Sequence, residues 1–140
     1  MNSGIRVRRP WRVTLVAWVV FLFAATQAVR AWQAWTQHTL LASLPLPVAP
    51  VFWVASGVIW AAAAATAAFG LWRMHRWGVL LTAICAPLYL ATWVAERWLW
   101  GRSPDSLMSL PFAAGLHATG VMLILAVVLA PATMRRFTRS

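Results

Sequence analysis

The stretch Val51–Leu71, VFWVASGVIWAAAAATAAFGL, decides the fold of this 140-residue chain, because its 21 residues include no charged side chain. A transmembrane helix needs about 20 mostly apolar residues. Three further stretches meet that requirement, at residues 13–29, 77–95 and 110–130. The sequence therefore predicts an all-α bundle of four transmembrane helices, with residues 1–140 forming a single membrane domain.

The composition excludes several classes of protein. Hydrophobic residues make up 62% of the chain and charged residues 10%, whereas soluble domains carry about 45–50% and about 25% of these types. All twelve basic residues are arginine, and they face only two acidic residues in the whole sequence. A soluble enzyme, a disordered tail and a typical DNA-binding domain are excluded, and a small integral membrane protein remains.

The arginines predict how the helices are oriented in the membrane. Nine of them lie before the first span, between the second and third, or after the fourth: Arg6, Arg8, Arg9, Arg12, Arg73, Arg76, Arg135, Arg136 and Arg139. The opposite side carries both acidic residues and three arginines, Arg30, Arg97 and Arg102. Because segments rich in arginine stay in the cytoplasm, we expect a multi-pass protein of the cell membrane with both termini cytoplasmic.

The same charges and the eleven tryptophans predict a lipid partner. Arginines at the cytoplasmic surface attract anionic lipid headgroups. They are dispersed over helix ends rather than gathered on one face, so nucleic acid is not expected to bind. Most tryptophans lie near the predicted span ends, where an aromatic belt keeps the ring buried and its N–H hydrated. A bilayer with anionic cytoplasmic headgroups is therefore the expected surrounding.

Few residues could carry chemistry. Cys85 is the only cysteine, which excludes an intrachain disulfide and two-cysteine redox chemistry. The sequence has no HExxH or GxSxG motif, no phosphate-binding glycine loop and no paired carboxylates. We therefore predict that the protein is not an enzyme, with no catalytic residue, no cofactor and no metal site.

The two halves of the chain resemble each other. A shift of 66 residues places 11–32 on 77–98 and matches eight of 22 positions, among them Trp11 with Trp77 and Trp32 with Trp98. Chance alone gives roughly two matches in so narrow a composition. The similarity predicts a tandem repeat of two helical hairpins related by an axis along the membrane normal. Coincidence in an apolar chain is the alternative.

Arg30 and Glu96 occupy equivalent positions of this repeat and carry opposite charges. Each lies about 27–30 Å along its helix from a cytoplasmic arginine, which is about the thickness of the hydrocarbon core. We expect both at one depth near the outer boundary, forming an ion pair between the first and third spans, because an unpaired charge there is costly. The alternative is that each side chain reaches water separately.

The first helix is expected to continue past Arg30. Polar residues follow at helical spacing, with a second row beside them: Thr26, Arg30, Gln33 and Gln37, then Gln27, Ala31, Ala34 and His38. The polar row could line an outward-facing cavity, or it could rest on headgroups or a partner, which we favour.

In the fourth span, Ser109 and Pro111 fit the start of the helix.

His117 lies seven residues into the fourth span, and an ionisable residue inside a membrane is a functional hypothesis by default. Contact with haem or quinone is one interpretation, although bis-histidine haem lacks a second ligand at that depth. The interpretation we favour is a neutral histidine that donates to a backbone carbonyl or to Glu96. The predicted polar site comprises Thr26, Arg30, Glu96 and His117.

Three short stretches resemble the small, uncharacterised four-helix membrane proteins of bacteria: Leu41–Pro45, the segments at 70–73 and 76–77, and Glu96–Arg97. The resemblance implies a four-helix fold and brings no activity with it. Two functions stay open. In the first, the chain is a structural or accessory component of a larger membrane complex or homo-oligomer. The scarcity of ionisable core residues favours this function. Alternatively, it is a small transporter or ligand-binding membrane protein with an outward-facing polar site.

Overall fold

The computed structural model describes residues 11–44, 48–100 and 104–137, and six helices account for most of them. Their bounds are α1 Trp11–Thr36, α2 His38–Ser43, α3 Pro50–Trp72, α4 Arg76–Trp100, α5 Pro104–Val128 and α6 Pro131–Phe137. Four of them, α1, α3, α4 and the part of α5 from Met108 to Val128, are long and apolar enough to cross a membrane. The predicted all-α four-helix bundle is confirmed.

Successive long helices run antiparallel, so the bundle has two ends. The end that holds Trp11, the α3–α4 turn and Val128 is called the terminal end, and the other is called the distal end. Five of the arginines on which the orientation prediction rests lie outside the described residues: Arg6, Arg8, Arg9, Arg102 and Arg139.

Helix α1 continues without a break to Thr36, as its polar extension predicts. Its buried face carries Gln27, Ala31 and Ala34, whereas Thr26 and Gln33 are exposed. The row that contains Gln27, Ala31 and Ala34 therefore faces the bundle. Small alanine side chains let the neighbouring helix approach closely. Of the polar row, Thr26, Gln33 and Gln37 lie on the outward surface, whereas Arg30 is half-buried.

Helices α1 and α3 form the most extensive contact of the bundle. Pro50 begins α3 at a position where its missing N–H costs no hydrogen bond. Gly57 packs directly on α1, because a Cβ built there would lie 2.9 Å from the Cβ of Ala31. Gly57 therefore serves packing within the chain.

The connection between α3 and α4 is a tight turn at residues 73–75. Met74 adopts a left-handed backbone with φ 59°, and the amide of His75 donates to the carbonyl of Gly70 over 2.9 Å. Gly70 and Gly78 then bring the two backbones together, since a Cβ on Gly70 would lie 2.6 Å from the Cα of Gly78. No larger residue fits at this crossing.

The helix that contains the fourth span begins before Ser109, the predicted cap. Helix α5 begins at Pro104, and Pro111 lies inside it. Pro104 satisfies the first-turn preference of proline, since that position needs no N–H donor. Pro111 removes one further hydrogen bond but lies in the second turn, where the helix continues. The helix also ends at Val128, two residues before the predicted end, and α6 begins with Pro131.

The core lies toward the terminal end. Its fully buried members come from all four long helices, with Val13 on α1, Leu71 on α3, Val79 on α4 and Val128 on α5. Helix α5 packs mainly on α4 and contacts α1 at few positions. The two predicted hairpins are therefore unequally packed, and the tandem repeat stays a prediction.

Candidate functional site

A cluster of four polar side chains links α1 to α4 across the bundle, and we call it the polar layer. It consists of Gln27 and Arg30 on α1 and of Tyr89 and Glu96 on α4. Residues three or four apart share one face of a helix, and so do residues seven apart. Gln27 and Arg30 therefore lie on the side of α1 that faces α4, and Tyr89 and Glu96 lie on the side of α4 that faces α1. Elsewhere, α1 and α4 approach each other less closely than adjacent helices of the bundle do.

The predicted ion pair is present. Arg30 Nη2 lies 3.4 Å from Glu96 Oε2, with the side chains 32% and 14% exposed. The guanidinium also lies over the Trp53 ring, 5.1 Å from its centroid. Both partners suit arginine, whose planar cation pairs with carboxylates and stacks on aromatic faces. The charge therefore has one partner on α3 and one on α4.

Gln27 and Tyr89 form the second contact of the polar layer. The Nε2 amide of Gln27 donates to the Tyr89 hydroxyl over 3.1 Å, and the Phe23 ring meets the Tyr89 ring edge to face at 4.6 Å. Gln27 is only 6% exposed, yet its Oε1 has no hydrogen-bond partner among the described residues. A buried carbonyl oxygen without a donor costs about 1–3 kcal/mol.

The structure does not bring Thr26 into the polar layer. Its side chain is exposed, and its hydroxyl donates to the carbonyl of Phe23 on the same helix over 2.7 Å. Gln27, the next residue, faces α4 instead. One feature of the sequence indicates that Gln27 faces inward. Gln27 shares a helical row with Ala31 and Ala34, which are small enough for close packing.

His117 lies apart from the ion pair, on α5. Its Nδ1 is 2.8 Å from the carbonyl oxygen of Ala113, and because a carbonyl oxygen only accepts, Nδ1 carries the proton. The ring stacks on Trp93 with centroids 4.4 Å apart, and Arg97 lies over the same indole at 5.2 Å. Of the two partners favoured in the sequence analysis, the backbone carbonyl is the one present.

Three titratable side chains in and near the polar layer each have a partner within the protein. Glu96 is held by Arg30, Tyr89 by Gln27, and His117 by its own helix. Among the described residues, no three His, Cys, Asp or Glu side chains are grouped closely enough to hold a metal ion.

No protein family, no curated protein and no solved structure matches this chain. The fold and the polar layer therefore define only a class, a four-helix bundle whose helices are compatible with a membrane protein.

Proposed function

We propose that this protein is a structural or accessory component of a larger membrane complex, and that a helix of the partner packs on α5. One observation carries the proposal. Of the residues from Met108 to Val128, only Val128 is buried. A Cβ built on Gly115 would have no heavy atom within 4 Å.

The argument rests on how helices associate in lipid. Exposed leucine, methionine and phenylalanine contact acyl chains well, so their exposure on α5 requires no partner. An exposed glycine has no side chain for lipid and leaves a notch, and small residues of this kind are enriched where helices pack closely. Thr119, one turn further, is exposed on the same face as Gly115. A partner helix would fill this notch, while a second copy of this chain is the competing occupant.

The remaining features of the proposal concern placement. Both termini lie in the cytoplasm of a cell-membrane protein, with the arginines at the terminal end against anionic headgroups. Arg73 and Arg76, at the α3–α4 turn, are exposed and well placed for this. The chain performs no catalysis itself, and its contribution is to hold a partner's helices in position.

Co-purification tests the proposal. We expect the tagged full chain, extracted in mild detergent, to carry a larger membrane protein in stoichiometric amount. Gly115→Leu fills the notch, so we expect at least a fivefold loss of that partner by quantitative mass spectrometry. Gly120→Leu adds the same side chain to the same helix five residues further on, on a different face that lines a cavity shared with α1, and it should retain the partner. Wild-type protein that elutes as a single copy without a stoichiometric partner would contradict the proposal.

A second candidate function is supported by the unpaired Gln27 Oε1. A ligand-binding protein or small transporter with an outward-facing polar site would place a hydrogen-bond donor of its ligand on that oxygen, beside Arg30 and Glu96. We expect an experimental structure in a lipid bilayer to show an ordered small molecule or water within hydrogen-bond distance of this oxygen. Density from a partner protein at the same oxygen would favour the accessory role instead.

A further inference from the structure

A cavity of about 230 Å³ lies in the middle of the bundle, on the terminal-end side of the polar layer. All four long helices line it, with Phe23 on α1, Trp60 on α3, Tyr89 on α4 and His117 on α5 among the wall residues. Carbon atoms form nearly all of the wall.

The Tyr89 ring stands nearly perpendicular to two other aromatic rings of the wall. The Tyr89 ring meets Phe23 edge to face with centroids 4.6 Å apart, and it meets Trp60 edge to face at 5.2 Å. Aromatic rings prefer such edge-to-face or offset contacts. A planar ring entering the cavity can therefore gain contacts of the same kind from three sides, which a linear chain cannot.

The cavity opens between α1 and α5. These two helices contact each other at few positions, and Gly120 on α5 contributes no side chain to the wall. A Cβ built on Gly120 would have no heavy atom within 4 Å. The wall includes Gly120 on α5 and Val20 on α1. Both residues lie in the middle of their spans, so the opening faces the hydrocarbon of the bilayer.

We propose that this cavity binds one small, uncharged aromatic molecule of one or two fused rings, which enters from the bilayer between α1 and α5. An apolar protein cavity of about 150 Å³ holds benzene, so this larger volume accommodates a second ring. Drug-sized molecules need about 300–1,000 Å³ and do not fit. A charged molecule would lose its hydration without gaining a counter-charge. The inference does not depend on the accessory role proposed above.

Cys85 offers a readout inside the cavity, because it lines the wall and is the only cysteine of the chain. The full-length protein in lipid nanodiscs is treated with N-ethylmaleimide, with naphthalene as the probe, and the alkylation rate of Cys85 is followed by intact mass. At a probe concentration ten times Kd, about 90% of the sites are occupied, so the rate should fall about tenfold. Decane, a stand-in for an acyl chain, should leave the rate unchanged.

Two matched variants locate the effect. Gly120→Leu fills the cavity, so naphthalene should no longer slow the alkylation or raise the Tm. Gly115→Leu adds the same side chain to the same helix outside the cavity, and it should keep the full protection. If Gly120→Leu lowers the yield of folded protein, Ala86→Leu fills the same cavity from α4. Equal protection by decane, or protection that persists in both cavity-filling variants, would overturn the proposal.

Discussion

Replacing Gly78 by alanine is expected to lower the free energy of unfolding by about 3 kcal/mol or more, the upper part of the range for overpacking. The added methyl would meet the carbonyl carbon of Gly70 and lie 2.6 Å from the amide nitrogen of Leu71. Backbone atoms cannot rotate away as a side chain does, so α3 and α4 must separate at their tightest point. A loss of 3 kcal/mol corresponds to roughly a 100-fold fall in the ratio of folded to unfolded protein.

Two other glycines provide a graded control. A Cβ on Gly57 would lie 2.9 Å from the Ala31 methyl, so Gly57→Ala should cost an intermediate 1–2 kcal/mol, roughly. Gly115→Ala enters open space and should be neutral, or stabilising by up to about 1 kcal/mol because alanine favours helices. The measurement is unfolding in mixed micelles followed by circular dichroism. The packing argument fails if Gly78→Ala is no more harmful than Gly115→Ala.

Breaking the Arg30–Glu96 pair is expected to have the second-largest effect, and the two single substitutions should differ. Exposed pairs contribute about 0.2–1 kcal/mol, and breaking a buried pair costs about 3–5 kcal/mol. This pair is half-buried and its contact of 3.4 Å is long, so we expect a coupling of about 1–2 kcal/mol. Arg30→Ala should cost more than Glu96→Ala. After Glu96→Ala, Arg30 still lies over the Trp53 ring, whereas after Arg30→Ala, Glu96 has lost its ion-pair partner.

A double-mutant cycle measures this coupling, with the same unfolding assay. The charge swap, Arg30→Glu with Glu96→Arg, should recover only part of the lost stability, because a carboxylate replaces the cation over the Trp53 ring. Arg97→Ala is the control, since Arg97 follows Glu96 directly but is exposed and lies over the Trp93 ring instead. It should cost no more than about 0.5–1 kcal/mol, the contribution of an exposed cation–π contact, without coupling to Glu96→Ala. Strictly additive single substitutions would show that the two charges act independently.

The sequence predicts the bundle well, because span length and hydropathy are local properties that a bilayer constrains strongly. It also predicts the Arg30–Glu96 contact, since a fixed rise per residue converts chain position into membrane depth. Position around the helix is harder to predict. Thr26 and Gln27 differ by 100° in a regular helix, and the packing partner decides which of them faces inward.

The start of α5 and the central cavity show the other limit of the sequence. Both Pro104 and Ser109 fit a helix start, and choosing between them needs the neighbouring packing. The cavity depends on residues from four helices that are distant in sequence, such as Phe23 and His117. Local patterning carries no information about whether such side chains fill the space between helices or leave it open.

The chain separation between Arg30 and Glu96 has a consequence for how the protein is made. The two residues are 66 positions apart, and a ribosome adds about 5–20 residues per second. The arginine therefore emerges roughly 3–13 s before its carboxylate. Trp53, whose ring lies 5.1 Å from the guanidinium, is made only 23 residues after Arg30. The nascent first hairpin thus supplies an interim partner that shields this cation until translation delivers the permanent one.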